Sequence, residues 1–344
     1  MPNPHGVGFF GGSGEQDGGT GGEAPLGPHG LPLTAEGRLA QLRQDGLFTS
    51  TLSVNEFALL TEMGPRPLAQ VLGTSVYQVG WQYLSAQAQW GGRDFFCGLE
   101  VISQAWDQAR RNAFARLREE AREVGADAVV GVRLHRGAHD WAKRTVDFVV
   151  NGTAVKLPDA AASPEPDAAP GSSWEVRRGP VLSDLSVQEY WKLKRVGWGP
   201  AGLLAATSVY FVSQGFGTRW RRRFSVASNQ ELSEFSHGFT AARHSAVTQL
   251  RGQAQEVGAT GIVGVDLQYE IARGKFAVAG IGRTPTGLSP STIAIGGGEL
   301  ISGRGSDQRE GIVFTVHAVG TAIRREQTAG HIEPQPLVGL GGVL

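Results

Sequence analysis

The chain has 344 residues, and its 32 basic side chains equal its 32 acidic ones in number, so its formal net charge is zero. This balance argues against a protein that binds nucleic acid or steers charged substrates by its overall charge. An apolar fraction of 40% can fill buried cores, and the length allows two or three domains. Cys97 is the only cysteine, which excludes a disulfide within the chain.

The N-terminal segment and the hydropathy of the chain bear on its location. Residues 1–30 contain neither a basic region nor an apolar region of the secretory kind, so no secretory signal is expected. No stretch approaches the roughly 18 apolar residues of a membrane helix, so no membrane span is expected. The expected location is the cytoplasm.

Short motifs of the first half recur in the second half at one fixed offset, that from Ser53 to Ser186, without gaps between them. The recurring motifs are Leu52-Ser53-Val54 with Leu185-Ser186-Val187, Thr74-Ser75-Val76-Tyr77 with Thr207-Ser208-Val209-Tyr210, Glu123-Val124-Gly125-Ala126 with Glu256-Val257-Gly258-Ala259, and Val130-Gly131-Val132 with Val263-Gly264-Val265. A fifth pair, Gly152–Lys156 and Gly320–Arg324, is set further apart than the other four. The chain is therefore an internal duplication, and its second copy holds about 35 extra residues before its last strand.

A short helix is predicted at the start of each copy. Ser53 is followed three residues later by Glu56, and Ser186 is followed at the same spacing by Glu189. This spacing is that of a capping box, in which the serine hydroxyl accepts from the third helical amide and the glutamate accepts from the serine amide.

An apolar strand and a long amphipathic helix follow in each copy. The strands are predicted at about Leu68–Val79 and Leu203–Val212. Apolar residues then recur at steps of three and four from Ile102 to Val124 and from Leu232 to Val257, which predicts a helix with one apolar face. The opposite face of the first helix is charged and includes Arg110.

Two further strands are predicted to close each copy. Gly125 and Gly258 lie where a glycine ends a helix in a left-handed turn. Apolar residues then alternate from Ala128 to Leu134 and from Phe148 to Ala154, as in half-buried strands. The predicted fold class is α+β, with one long helix on a small antiparallel sheet in each module. Such a sheet leaves one face and two edges uncovered, so either the two copies cover each other or other chains cover them.

The remaining segments are predicted to be tails, linkers and an insertion. The predicted organisation is a disordered Gly/Pro-rich tail over 1–33, a first module over 34–157 that begins with a helix at about Thr34–Gln44, a linker over 158–179, a second module over 180–325, and a flexible tail over 326–344. The second module contains the insertion at about 272–309, in which Phe276–Ile281 and Thr292–Ile295 are predicted to form a hairpin.

The motifs of the first copy resemble a known family. The stretches Gly125-Ala126-Asp127-Ala128-Val129-Val130-Gly131-Val132 and Gly152-Thr153-Ala154-Val155-Lys156 are similar to the signature of the YbjQ-like family, a "putative heavy-metal-binding" domain, and residues 258–265 and 320–324 match it less closely. The two matches cover about 250 of the 344 residues. The resemblance implies two dodecin-like modules and homo-oligomeric rings, typically pentamers, with the ring stoichiometry open for a doubled chain. The loop Arg93-Asp94-Phe95-Phe96 matches the family only loosely, so no site is carried over to it.

The family description directs attention to metal ligands. His135 and His139 are four residues apart, across the end of a predicted strand and a turn, and imidazole suits transition metals. They are the candidate metal ligands. At the fixed offset of the duplication they align with Gln268 and Ala272, so the second copy does not repeat the pair. Since a site intrinsic to the module should appear twice, no cofactor is expected, with a transition metal as the alternative.

A second candidate site is a basic run with an aromatic residue, in the loop before the long helix of the second copy. The run consists of Arg219, Trp220, Arg221, Arg222 and Arg223. Arginines of such a loop contact phosphates while an aromatic ring stacks, so the run indicates an anionic-surface or nucleic-acid binder.

The sequence lacks the common catalytic motifs that would indicate an enzyme. The sequence has no Gly-x-Ser-x-Gly elbow, no His-Glu-x-x-His and no P-loop. The sequence therefore favours a non-enzymatic binding or scaffold protein that self-associates into a ring, with no other partner indicated. The alternatives are a metal-binding or metal-sensing protein and a binder of anionic surfaces; because the chain is neutral, nucleic acid is not the expected partner.

Overall fold

A computed structural model describes residues 27, 31, 33–45, 48–80, 82–84, 95–137, 145–158, 179–215, 231–277 and 308–325. These residues hold the helices α1 (Leu33–Asp45), α2 (Val54–Glu62), α3 (Glu100–Glu123), α4 (Val187–Arg195) and α5 (Ser233–Glu256). They also hold the strands β1 (Arg66–Gln78), β2 (Phe95–Gly98), β3 (Ala128–Gly137), β4 (Thr145–Lys156), β5 (Val181–Leu182), β6 (Trp198–Ser213), β7 (Gly261–Ala277) and β8 (Gln308–Arg325). The α+β class is confirmed, and both sheets are mostly antiparallel.

Local signals placed the ends of the helices correctly. The side chain of Ser53 accepts from the amide of Glu56, the amide of Ser53 donates to the Glu56 carboxylate over 2.8 Å, and Ser186 and Glu189 repeat both bonds. Gly125 and its equivalent Gly258 follow the two long helices with φ of 73° and 64°. Both capping boxes and both glycine turns are therefore confirmed.

Each copy builds its own three-stranded core, and each sheet gains a fourth strand from the other copy. The strand orders are β1-β4-β3-β5 in the first sheet and β2-β6-β8-β7 in the second. The strand β5 belongs to the second copy and pairs in parallel with β3, while β2 belongs to the first copy and pairs antiparallel with β6. The predicted strand–helix–strand–strand reading lacks these fourth strands, because they form only against the neighbouring copy.

The two sheets and two long helices stack in alternating layers. Side chains of β6 alternate between the two faces of the second sheet. Leu204 and Val212 pack in the cluster around α5, whereas Val209 and Phe211 join the cluster around α3. The helix α3 therefore lies between the two sheets, and α5 covers the far face of the second sheet.

The second copy has a long β ladder at the predicted insertion. The strands β7 and β8 stay paired as far as Ala277 and Gln308. Residues 278–307, which hold the remainder of the predicted hairpin, lie outside the described residues, as do 1–26, 159–178 and 326–344. The predicted tails and insertion therefore remain predictions over those stretches. Among the helices that are described, none is long and apolar enough to cross a membrane.

Candidate functional site

Several buried polar groups of the described chain lie where the two copies meet. The N-terminal part of α3 lies along the edge of β6, beside the short strand β2. The amide of Leu99 donates to the Val209 carbonyl over 2.7 Å, and the amide of Val209 donates to the Ser103 hydroxyl over 3.1 Å. The first copy thereby satisfies backbone groups that an edge strand of the second copy would otherwise expose.

A histidine of the second copy is buried in this contact. The ring of His317 lies 4.9 Å from the Trp106 ring in an edge-on arrangement, and its Nδ1 lies 3.0 Å from the Thr207 hydroxyl. Burial lowers the pKa of His317 well below its usual value, and the nearby cations of Arg136 and Arg110 lower it further. The imidazole is therefore neutral at physiological pH, and it packs against Trp106 and hydrogen-bonds Thr207.

The ion pair on α3 lies beside this histidine. Arg110 and Asp107 are one helical turn apart, with 3.0 Å between guanidinium and carboxylate, and Arg110 is fully buried. Burial lowers the pKa of Arg110 to about 10, against the favourable charge of Asp107, and burial raises the pKa of Asp107. The Asp107 carboxylate also accepts from the backbone of Thr207. The prediction that the charged face of α3 is opposite its buried face is therefore wrong at Arg110, because the second sheet covers this residue.

A further contact between the copies joins the end of β3 to the middle of β7. The guanidinium of Arg136, on β3, donates to the side chain of Gln268 on β7. Burial lowers the pKa of Arg136, and the carboxylates of Glu270 and Asp266 oppose that shift. The cation of the first copy therefore meets an acidic stretch of the second.

The second copy completes the first sheet in return. The amide of Val181 donates to Asp127, that of Ser183 donates to Val129, and that of Val132 donates back to Ser183, over 3.0 to 3.1 Å. The helix α4 then places Val187 in a small apolar cluster with Leu60 of α2. The two copies therefore exchange backbone pairing in both directions.

The metal ligands predicted from the sequence are only partly described. His135 is exposed on β3, paired with Val149, and His139 lies outside the described residues. Within the described ranges, no group of three or more His, Cys, Asp or Glu side chains is arranged to hold a metal ion. Burial and the charge of Glu100 raise the pKa of the Cys97 thiol to about 11, so the thiol stays protonated and is a poor metal ligand. The pairing of His135 with His139 at a metal therefore stays a prediction.

The basic run Arg219–Arg223 also lies outside the described residues. Two open grooves are present in the described part. One lies between α1 and β1, where Arg38 and the amide of Leu72 both contact Glu120. The other follows the outer face of α5 past His237 and His244.

Sequence reasoning missed the residues that join the copies. The helical periodicity places Trp106 in an apolar stripe and Arg110 on a charged face, without indicating a second sheet. His317 carried a usable signal, because the equivalent position of the first copy is the apolar Val149. A polar residue in a strand, at a position that is apolar in the other copy, indicates a hydrogen-bond partner at that position.

Comparison with known proteins agrees with this duplication. A family model described as "Putative heavy-metal-binding" matches residues 84–158 and again 206–283. An encapsulin nanocompartment protein of Mycobacterium tuberculosis is 35% identical over 219 residues, which cover 63% of this chain and 76% of that protein. UPF0145 proteins of Clostridium novyi and Trichodesmium erythraeum are 35% and 33% identical over 74 and 75 residues. These matches cover 19% of this chain in each case, and 70% and 69% of the relatives. The chain therefore belongs to the YbjQ-like family and carries two tandem copies of its domain.

Proposed function

We propose that this protein is a non-enzymatic scaffold that self-associates into a homo-oligomeric ring. One observation carries the proposal: each sheet contains a strand that the other copy supplies. A module that completes its sheet with a neighbour's backbone is suited to repeat that contact, because exposed strand edges favour pairing.

The Mycobacterium tuberculosis relative supports an assembly role. Its name assigns that protein to an encapsulin nanocompartment, and the similarity covers most of both chains. We propose that the present chain likewise works within a protein assembly, with each module acting as a dodecin-like unit of one long helix on a small sheet. The proposed location is the cytoplasm, the expectation drawn from the sequence.

Native mass spectrometry of the full-length, untagged protein, purified without chelator, tests this function. The expected result is one closed multimer of the 36.5 kDa chain without stoichiometric metal. A monomer at micromolar concentration would contradict the scaffold function.

Metal binding is the second candidate, favoured by the family description and by the exposed side chain of His135. Under this function His135 and His139 supply two imidazole ligands to a transition metal. The same mass spectra decide between the two candidates. A metal that is bound stoichiometrically by the wild type and lost in the His135→Ala, His139→Ala double variant would favour metal binding. The variant His237→Ala, His244→Ala is the matched control, since it removes two exposed histidines elsewhere.

Binding to anionic surfaces through Arg219, Trp220, Arg221, Arg222 and Arg223 is the third candidate, supported by the composition of that run. Binding to vesicles of anionic lipid, or to single-stranded DNA, should then fall steeply as salt is added. Replacing the four arginines by glutamine should abolish this salt-dependent part.

A further inference from the structure

We propose that a second copy of this chain binds head to tail, through the segment 48–57 and the outer face of the first sheet at one end, and through β7 and α5 at the other. The proposal rests on the self-association proposed above and names the surfaces that carry it. The contact between the two copies within one chain shows how one module binds the next.

Within the chain, the second copy lays the segment before α4 on the free edge of β3. Val181 and Leu182 pair in parallel with Ala128 and Val129. The amide of Gly131 also donates to Leu185, over 3.1 Å. The side chain of the first residue of α4 is then completely buried.

The equivalent segment of the first copy is uncovered. It runs from Phe48 into α2, which begins with the same capping box as α4. Val54 is 84% exposed, whereas its equivalent Val187 is 0% exposed. Phe57 is exposed as well, whereas its equivalent Tyr190 is buried. The sequence therefore keeps apolar residues at positions that, in this chain alone, are buried in only one of the two copies.

The surface that would receive this segment is also present and uncovered. The strand β7 is the last strand of the second sheet, and within the described residues no strand pairs with its outer edge. Gly264 has φ of 64° and its equivalent Gly131 has φ of 60°, so both edges carry the same left-handed glycine at a shift in strand register. Val265 is 47% exposed, whereas its equivalent Val132 is 3% exposed beneath the segment that covers it.

The outer face of the first sheet shows the same difference. Val76 on β1 is 58% exposed, whereas its equivalent Val209 on β6 is 1% exposed because α3 of the preceding copy covers it. Leu72 is likewise exposed and its equivalent Ala205 is buried.

The helix α5 offers the surface that would cover this face. Its residues Ser236, Thr240 and Arg243 are exposed, and they occupy the positions of Ser103, Asp107 and Arg110 on α3. Ser103 accepts from the amide of Val209. A serine is retained at the equivalent position 236, where it would accept from the amide of Val76 in the next chain.

The two surfaces of one chain are different and complementary, because one supplies a segment and the other supplies the strand edge that the segment pairs with. Such an interface is heterologous, and it repeats until a ring closes or a filament grows. Repeating the internal step places Phe48 of the next chain beside Gly261 and Thr49 beside Ile262. It also places the exposed Tyr269 against His135 of the next chain, as Gln268 contacts Arg136 within the chain. The exposed apolar side chains at both ends would then be buried together, which accounts for their presence on the surface of a single chain.

Charged substitutions at the two ends test this interface by size-exclusion chromatography with light scattering. Val54→Asp disrupts the segment 48–57, and Val265→Asp disrupts the edge of β7. Each variant is expected to elute as a monomer of 36.5 kDa. Because each variant keeps one intact end, an equimolar mixture is expected to form a dimer of two chains and nothing larger. The controls are Asn55→Asp and Gln255→Asp, which add the same charge at positions exposed in both copies, and they should assemble as the wild type does.

The outcomes separate this interface from the function it rests on. Variants that stay assembled alongside an assembled wild type would overturn the interface and leave the scaffold function standing. Monomeric variants whose mixture forms no dimer would overturn the head-to-tail pairing, and a monomeric wild type would overturn the scaffold function as well. The dimer in the mixture also shows that both variants fold. If Val54→Asp fails to fold, Val76→Asp replaces it at the same end.

Discussion

The two long helices show how far equivalent sequences can differ in environment. Both α3 and α5 have 24 residues, begin after a leucine that makes no side-chain cap, and end before a glycine turn. Yet α3 buries bulky and charged residues such as Trp106 and Arg110, whereas the buried positions of α5 are mostly alanine and glycine. The difference follows from position, since α3 packs between two sheets and α5 packs on one. Whether a residue of the repeat is buried therefore depends on whether the other copy packs against it.

The largest effect is expected at Trp106. Replacing Trp106 by alanine empties a fully buried position between the sheets and should lower the free energy of unfolding by about 3–5 kcal/mol. The equivalent variant Phe239→Ala should cost clearly less, because Phe239 is only half-buried. Urea unfolding followed by circular dichroism measures both losses, in the monomeric Val265→Asp background so that no neighbouring chain covers Phe239. Equal losses would show that the second sheet adds nothing to the packing of α3.

A second comparison concerns the residue through which each long helix bonds the backbone of β1 or β6. Glu120 accepts from the amide of Leu72 and pairs with Arg38, while Gln253 both accepts from and donates to the backbone of Ala205. Gln253→Glu should destabilise the protein by about 2 kcal/mol at pH 7, since it buries a carboxylate against the Ala205 carbonyl.

The pH dependence of that variant sharpens the test. Burial should raise the pKa of the new carboxyl in the folded state, so the folded protein would bind the proton more tightly than the unfolded chain. The destabilisation should then be present at neutral pH and disappear as the pH falls through the raised pKa. The reverse substitution Glu120→Gln is the control. A loss in Gln253→Glu that is the same at pH 4.5 and pH 7 would contradict this explanation.

A smaller effect is expected from His317, whose equivalent in the first copy is Val149. The folded protein keeps the pKa of His317 well below the unfolded value of about 6.5, so the unfolded chain binds more protons as the pH falls below that value. The free energy of unfolding should therefore decrease with falling pH below about 6.5, by up to about 1.4 kcal/mol per pH unit from this group. His317→Val should lose that slope. A variant with the full wild-type slope between pH 5 and pH 7 would show that His317 is not its source.

The smallest effect is expected at the two capping serines. Ser53→Ala and Ser186→Ala each remove one side-chain acceptor from a helix start, at a cost of about 1 kcal/mol. Because α4 packs its first turn against the first copy, the loss at Ser186 should appear in global unfolding. In the monomeric Val265→Asp background, where no neighbouring chain covers α2, the loss at Ser53 should appear mainly as faster hydrogen exchange in α2. Hydrogen exchange followed by mass spectrometry distinguishes the two, and equal exchange in both helices would contradict the difference.

The sequence predicted what neighbouring residues decide. The serine–glutamate spacing and the glycines after the long helices act within one turn of chain, and both were confirmed. The burial of Arg110 and the fourth strand of each sheet depend on partners in the other copy, far along the chain, such as Val209 and Val181. Periodicity cannot report these contacts, because a charged helical face has the same pattern whether water or another sheet covers it.

The candidate site was less predictable than the fold. Residue type and the spacing to His139 make His135 a candidate ligand, and in the structure it is an exposed side chain on β3. The contact between the copies, by contrast, is built from Trp106, Asp107 and Thr207, which form no recognisable sequence motif. Their role follows from their position between two duplicated units.

The fusion of two copies into one chain also fixes the arithmetic of any closed assembly. Modules are added in pairs, so a ring that repeats the internal step contains an even number of them, and its rotational order is half that number. A ring of five modules, which the family resemblance implies for chains with one module, cannot be closed by whole chains of this kind. Around such a ring the junction held by Trp106 and His317 would alternate with the one between chains, where Phe239 and Val149 stand at the same positions. After duplication the two junctions can therefore change independently. The one within the chain affects the stability of the subunit, and the one between chains affects the lifetime of the ring.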